Sequence, residues 1–267
     1  MATRQLLAFY SICAALLTAG LAAGEACAQA AVSPFTGWIA ETWFYFRNNS
    51  ESSDGSQQAK ATLRLFQPFA LGSGWKLTMR EDIPGIYTNQ VGTDNPGQQW
   101  NANIGDVFAQ AALSTPQMAP DFFADLGMRI YFPTGGLKPF GDGSFRVAPH
   151  LGFDWTIPGS EGQFAVAPLA RYIRSVGYAP PHFTDINQVQ FHPVIRAKMG
   201  ENWLFSMFEE KEIIYDMITQ GWFVPLDFMI HWQALPNLSI ALGAARSLYA
   251  SYPQYENTVY GRLKVTF

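Results

Sequence analysis

The sequence predicts an all-β chain, a transmembrane antiparallel up-and-down β-barrel of about twelve strands with periplasmic termini. Three observations predict it. Apolar and polar residues alternate with period two over stretches of ten or more residues, the pattern of a strand with one apolar and one polar face. The joins between these stretches alternate between short and long. Large aromatics on the apolar parity gather at the strand ends, where amphipathic rings sit at the headgroup level of a membrane. Composition agrees: of 267 residues, 48% are hydrophobic and 15% aromatic but only 14% charged, with a mean hydropathy of about zero. Such a chain is too aromatic for disorder and too polar on average for a bundle of membrane helices. A formal net charge of -4 supplies no polycationic footprint, so no nucleic-acid partner is expected.

Residues 1–30 read as a secretory signal peptide. Arg4 marks the start, an apolar stretch runs from Leu6 to about Gly24, and Ala26-Cys27-Ala28 and Ala28-Gln29-Ala30 offer small-residue cleavage sites. The rival reading is an N-terminal membrane anchor; dilution by Ala, Gly, Ser and Thr and the adjoining cleavage sites favour the signal. Cys27 suggests a lipidation site, but Gly24 stands where such a site normally has Leu. Both cysteines, Cys13 and Cys27, lie in this segment, so the expected mature chain, residues 31–267, has neither disulfide nor cysteine-held zinc.

The strands follow in order. Thr36 to Arg47, Gln57 to Phe69, Trp75 to Ile83 and Asn103 to Ser114 alternate weakly. In Phe122 to Phe132, the residues Phe122, Ala124, Leu126, Met128, Ile130 and Phe132 oppose Phe123, Asp125, Gly127, Arg129 and Tyr131. Phe145 to Ile157 sets Phe145, Val147, Leu151, Phe153 and Trp155 against Arg146, His150 and Asp154. Gln163 to Ile173 is weaker, and Asn187 to Met199 opposes Val189, Phe191 and Ile195 to Gln190, His192 and Arg196. Asn202 to Glu212 has blurred parity near Glu209, as the first strand has near Trp43, which leaves counts of ten or fourteen open. Gly221 to Gln233 is the clearest: Trp222, Val224, Leu226, Phe228, Ile230 and Trp232 share one parity, and Asp227 and His231 lie on the other. Leu238 to Tyr249 and Glu256 to Phe267 complete the set. A membrane barrel strand needs roughly nine to eleven residues, longer than the usual globular strand.

The joins Ala70 to Gly74, Thr115 to Pro120, Pro158 to Gly162, Gly200 to Glu201 and Pro236-Asn237 are short. Those over Asn48 to Ser56, Pro84 to Trp100, Pro133 to Ser144 and Gly177 to Asp185 are longer and more polar. Short periplasmic turns and long extracellular loops are what an outer-membrane barrel carries. Outward Trp75, Phe122, Trp155, Phe164, Trp203, Trp232 and Phe267 then fall at periplasmic strand ends, and Phe132, Phe145, Tyr172 and Trp222 at the opposite ends. The final alternation of Val259, Gly261, Leu263, Val265 and Phe267 resembles the carboxy-terminal signal read by the barrel-assembly machinery, which makes that machinery an expected partner beside the membrane lipid.

With the apolar parity toward lipid, the inner face carries charges of both signs, including Arg64, Arg80, Asp82 and Arg171. The candidate pore-lining residues are Asp106, Asp125, Arg129, Arg146, His150, His192, Arg196, Asp227 and His231. Ions in such number must pair with one another or face water, so the interior is a hydrated path or a closed ion-pair network. His150, His192 and His231 share the inward parity, and Asp154 and Asp227 each stand four residues from a histidine on the same face. At about 3.3 Å per residue those groups are roughly 13 Å apart, so any pairing runs between strands. The spacing supplies no metal site, and no cofactor is expected. A lipid hydrolase needs its histidine at the bilayer surface, and none lies on the lipid parity. His182 stands near Thr184 and Asp185 in a loop, but adjacency is not triad geometry. No catalytic residue is assigned.

Ile104-Gly105-Asp106-Val107, followed by Gly127-Met128-Arg129-Ile130-Tyr131-Phe132-Pro133-Thr134-Gly135, resembles the outer-membrane family of transporters associated with phenol-degradation pathways. The likeness is strongest from about Ile104 to Ile157. It implies passage of small compounds, aromatic ones included, and carries over no binding residue. The expected function is therefore an outer-membrane channel or transporter for passive passage of small solutes, aromatic or hydrophobic ones among them. The alternatives are a closed structural or adhesive barrel and, less favoured, a lipid hydrolase.

Overall fold

The computed structural model describes residues 37–49, 55–177, 183, 185–252 and 254–267; the expected signal peptide over residues 1–30, with Cys13 and Cys27, lies outside them, as do His182 and Thr184. The strands are β1 (Ile39–Asn49), β2 (Ser56–Gly72), β3 (Trp75–Thr88), β4 (Asn101–Ile104), β5 (Val107–Ser114), β6 (Phe122–Phe132), β7 (Phe145–Thr156), β8 (Phe164–Val176), β9 (Asn187–Lys198), β10 (Trp203–Met207), β11 (Ile213–Asp216), β12 (Gly221–Leu235), β13 (Leu238–Ala250) and β14 (Asn257–Thr266). They form a single antiparallel sheet. Both β4 and β5 pair with β3, and both β10 and β11 pair with β9 and β12, so each couple is one interrupted stave. The staves number twelve. Pairing of β1 with β14, from Ile39↔Thr266 to Asn48↔Asn257, closes the barrel. Closure leaves the sheet without a free edge, which strands must achieve to stand in lipid.

Side chains follow the alternation. Along β12 the odd residues Phe223, Pro225, Asp227, Met229 and His231 are buried inside, while Trp222, Phe228, Ile230 and Trp232 face out. Leu126, Leu151 and Leu242 are at least 60% exposed, a placement that would favour aggregation in water and is the lipid face of a membrane barrel. Trp203 and Trp232 stack at 6.1 Å on neighbouring staves near one rim, and Phe132 meets Phe145 edge-on at 6.0 Å near the other. The short turns share the first rim with the chain end, where Phe267 N–H donates to the Trp38 carbonyl at 2.9 Å.

Two staves differ from the sequence expectation. The join expected from Pro84 opens later, because β3 runs to Thr88 and pairs with β4 above the break. The strand expected over Asn202 to Glu212 leaves the wall after Met207 and returns at Ile213. Met207 faces Phe228 and Ile214 faces Phe223, so this stave has two residues more than its neighbour over the same rise. The surplus turns residues 208–212 into the lumen, with Phe208 in the left-handed region at φ 54°. That insertion explains the blurred parity near Glu209. The blur near Trp43 has another cause: Trp43 and Tyr45 point inward into an aromatic cluster with Tyr260, while Phe46 on the opposite parity is exposed.

Candidate functional site

The inner wall is built by register. Arg80 faces Gln110, and Gln110 faces Arg129 across β3, β5 and β6. Arg171 on β8 lies between His150 on β7 and Gln190 on β9. A period-two strand offers one inward side chain in two, so adjacent staves stack these residues into a band in which Arg80, Arg129 and Arg171 alternate with Gln110, His150 and Gln190. Phe108 separates two of them, with the Arg129 guanidinium 4.0 Å and the Arg80 guanidinium 4.9 Å from its ring centre. Tyr131 carries the stack onward, with Arg146 4.2 Å from its ring centre. Cations over aromatic faces gain electrostatically from the ring quadrupole.

This band lines a lumen cavity of about 590 Å³, around which stand ten Lys and Arg against eight Asp and Glu. The chain as a whole is net negative, so its interior reverses the overall sign. Pairing within the lumen is uneven. Asp82 accepts both Arg80 Nε and Nη2 at 2.8 Å and also Arg64 Nε at 3.0 Å. Arg129 donates to neutral Gln110, at 3.0 and 2.8 Å, and to the Tyr131 hydroxyl at 2.9 Å. Arg171 Nη1 reaches Gln190 at 3.2 Å, and its Nε finds no hydrogen-bond partner among the described residues.

The inserted segment 208–212 covers part of the opposite wall. Asp227 is fully buried, and its Oδ2 accepts the backbone N–H groups of Glu210 and Lys211 at 3.0 and 3.1 Å. The Tyr260 hydroxyl donates to its Oδ1. Tyr45 donates to Glu210 at 2.6 Å, and the Lys211 ammonium lies 4.5 Å from the Tyr45 ring centre. Glu209 approaches His231, Arg262 and Arg196 at 3.4, 3.5 and 3.7 Å. The loop of residues 133–144 also folds inward, and the two resembling sequence stretches meet at its base. Thr134 Oγ1 donates to the Gly105 carbonyl and accepts Val107 N–H, while Asp106 accepts Gly135 N–H, Asp142 N–H and Arg146 Nη2. Gly105 and Asp106 thus break the stave to receive the loop. Asp142 bridges Lys138 and Arg146, both at 2.6 Å. Burial pushes the Asp142 carboxyl up, but Lys138 and Arg146 outweigh it and hold the group below its ordinary value.

Of the residues expected from sequence, Asp106, Asp125, Arg129, Arg146, His192 and Arg196 line the large cavity. Arg196 pairs with Asp154 at 2.8 Å and also lines a second cavity of about 380 Å³ at the turn rim. His192 stands 4.0 Å from Glu212. His150, Asp227 and His231 also project inward but lie behind the cavity lining: Asp227 anchors the insertion and the His150 ring lies over Gly127. His231 accounts for both of its ring nitrogens. Nε2 is 2.9 Å from Ser206 Oγ, and Nδ1 is 2.6 Å from Arg262 Nη2. A guanidinium only donates, so Nδ1 accepts and the imidazole proton sits on Nε2. His231 in that tautomer cannot take a proton from Ser206, unlike the histidine base of a hydrolase triad. Sequence reasoning missed Glu209, Glu210, Lys211 and Glu212 as lumen residues; four consecutive charges in a strand of otherwise alternating pattern were the signal available.

Comparison with protein-family models and with curated proteins finds no match. Solved structures do match. An outer membrane channel from Pseudomonas putida F1 superposes with a TM-score of 0.69 at 10% identity, covering 90% of this chain and all of that one. The fold is that of an outer-membrane β-barrel. The NanC porin follows at 0.53 and 12% identity, covering 85% of this chain and 98% of that one. Outer membrane phospholipase A from Escherichia coli gives 0.53 at 11% identity, covering 90% and 95% respectively. The fold indicates an outer-membrane location, and outer-membrane barrels in general keep their short turns on the periplasmic side.

Proposed function

We propose that this protein is an outer-membrane channel for the passive passage of small solutes, aromatic or hydrophobic ones among them. One observation carries the reading: the lumen holds a cavity of about 590 Å³ lined by ten basic and eight acidic side chains, and charges in such number are stable only beside partners or water. Selectivity follows from which charges face the solute. The rings of Phe153, Phe140 and Phe223 on the same lining supply apolar contact for an aromatic solute. The channels among the similar barrels support the same reading. The inward segments 133–144 and 208–212 are what a closed structural barrel would also need, and transport decides between the two. Liposomes loaded with an impermeant polymer and carrying the folded chain should swell in isotonic small solutes such as benzyl alcohol or glycerol. Swelling no faster than in empty liposomes supports the closed barrel instead. For delivery, the strand ending in Phe267 is proposed to engage the barrel-assembly machinery.

A further inference from the structure

The basic band has a deficit of counter-ions at one place. Arg80, Arg129 and Arg171 face the same cavity, yet Asp82, which Arg80 shares with Arg64, is the one carboxylate that bonds any of the three among the described residues. Arg129 spends its hydrogen bonds on Gln110 and Tyr131. Arg171, only 8% exposed, has neutral Gln190 and an Nε without a partner. Removing a guanidinium from water without a counter-ion is costly, and its planar fork matches a carboxylate in two parallel bonds. Phe108, clamped between the Arg80 and Arg129 guanidinium groups, fixes their positions in advance of any ligand.

We propose that Arg80, Arg129 and Arg171 form a binding site for the carboxylate of a small organic anion in transit. This rests on the channel reading for its purpose, though binding can be measured separately. A carboxylate placed among the three supplies the missing negative charge and can accept from the guanidinium nitrogens that face the cavity. Neutral solutes of the same shape gain neither, so the site ranks carboxylates above alcohols and passes anions in preference to cations.

The test uses the full chain folded in detergent, with benzoate and benzyl alcohol as probes in isothermal titration. Wild type should bind benzoate at least about tenfold tighter than benzyl alcohol, as for a charge-assisted pair. The double variant R129Q/R171Q should lose that preference while keeping the gel shift on boiling that marks a folded barrel. If the double variant does not fold, R171Q alone should reduce the preference. R129K/R171K keeps charge without the fork, and should retain anion selectivity in a planar bilayer under a KCl gradient while binding benzoate more weakly. Absent benzoate binding, an unchanged preference in the glutamine variants, or a cation-selective wild type overturns the site. Benzoate binding without any conductance upholds the site and counts against the channel.

Discussion

The Tyr260 hydroxyl on β14 donates to the buried Asp227 carboxylate on β12, and the other oxygen of that carboxylate holds the backbone of residues 210 and 211. One aspartate thus ties the inserted segment to the barrel wall. Asp227→Ala should release residues 208–212, widen the lumen and raise single-channel conductance. It should also cost about 3 kcal/mol, because several bonds to an ionised acceptor are lost together. Urea unfolding of the refolded barrel measures the stability change, and single-channel recording measures the conductance; unchanged conductance would show that the segment does not narrow the path.

Gly243 faces Tyr260 across β13 and β14. A Cβ there would collide with the Tyr260 ring, so Gly243→Ala must displace the ring from Asp227. The expected loss is about 1–3 kcal/mol, typical of overpacking. It should be non-additive with Tyr260→Phe, since both disrupt the same bond. Additive losses in a double-mutant cycle would mean that the glycine serves something other than the tyrosine.

The Asp142 bridge gives the loop of residues 133–144 a defined pH response. Because Lys138 and Arg146 outweigh burial and depress the carboxyl in the folded protein, its stabilisation is present above the unfolded value of about 3.9. It is lost as pH falls through the lower folded value. Hydrogen exchange of the loop should therefore stay slow from neutral pH to about pH 4 and quicken only in stronger acid. Asp142→Asn should quicken it already at neutral pH. Equal exchange in the two proteins at neutral pH would remove the bridge from the account.

Phe267 pairs its backbone with Trp38 and Gly37 at the closing seam. Its deletion should lower the amount of heat-modifiable barrel recovered from the outer membrane well below wild type, while refolding of the purified chain in detergent suffers less. Equal losses in both settings would assign Phe267 to barrel stability rather than to recognition by the assembly machinery.

The barrel was legible because period two survives in most staves. Trp222 to Trp232 and Phe122 to Phe132 name their lipid faces residue by residue, and a closed wall adds little that the alternation does not specify. The site was legible only as a list of inward residues. Parity places Arg129 and His150 inside alike, but it cannot show that Gln110 and Tyr131 occupy the Arg129 donors while His150 lies behind the lining over Gly127. Nor can alternation describe residues 208–212, since a surplus of two residues removes them from the pattern. The resembling stretches around Asp106 and Thr134 were visible as sequence, but their common purpose, clasping a loop to a broken stave, required the hydrogen bonds.

The most direct test of the central claim is the conductance of the purified, folded full chain in a planar lipid bilayer. The expected result is discrete single-channel steps, with a reversal potential in a KCl gradient that reports anion preference. A protein that shows the gel shift of a folded barrel yet inserts without conductance, and gives no solute flux in liposomes, would contradict it.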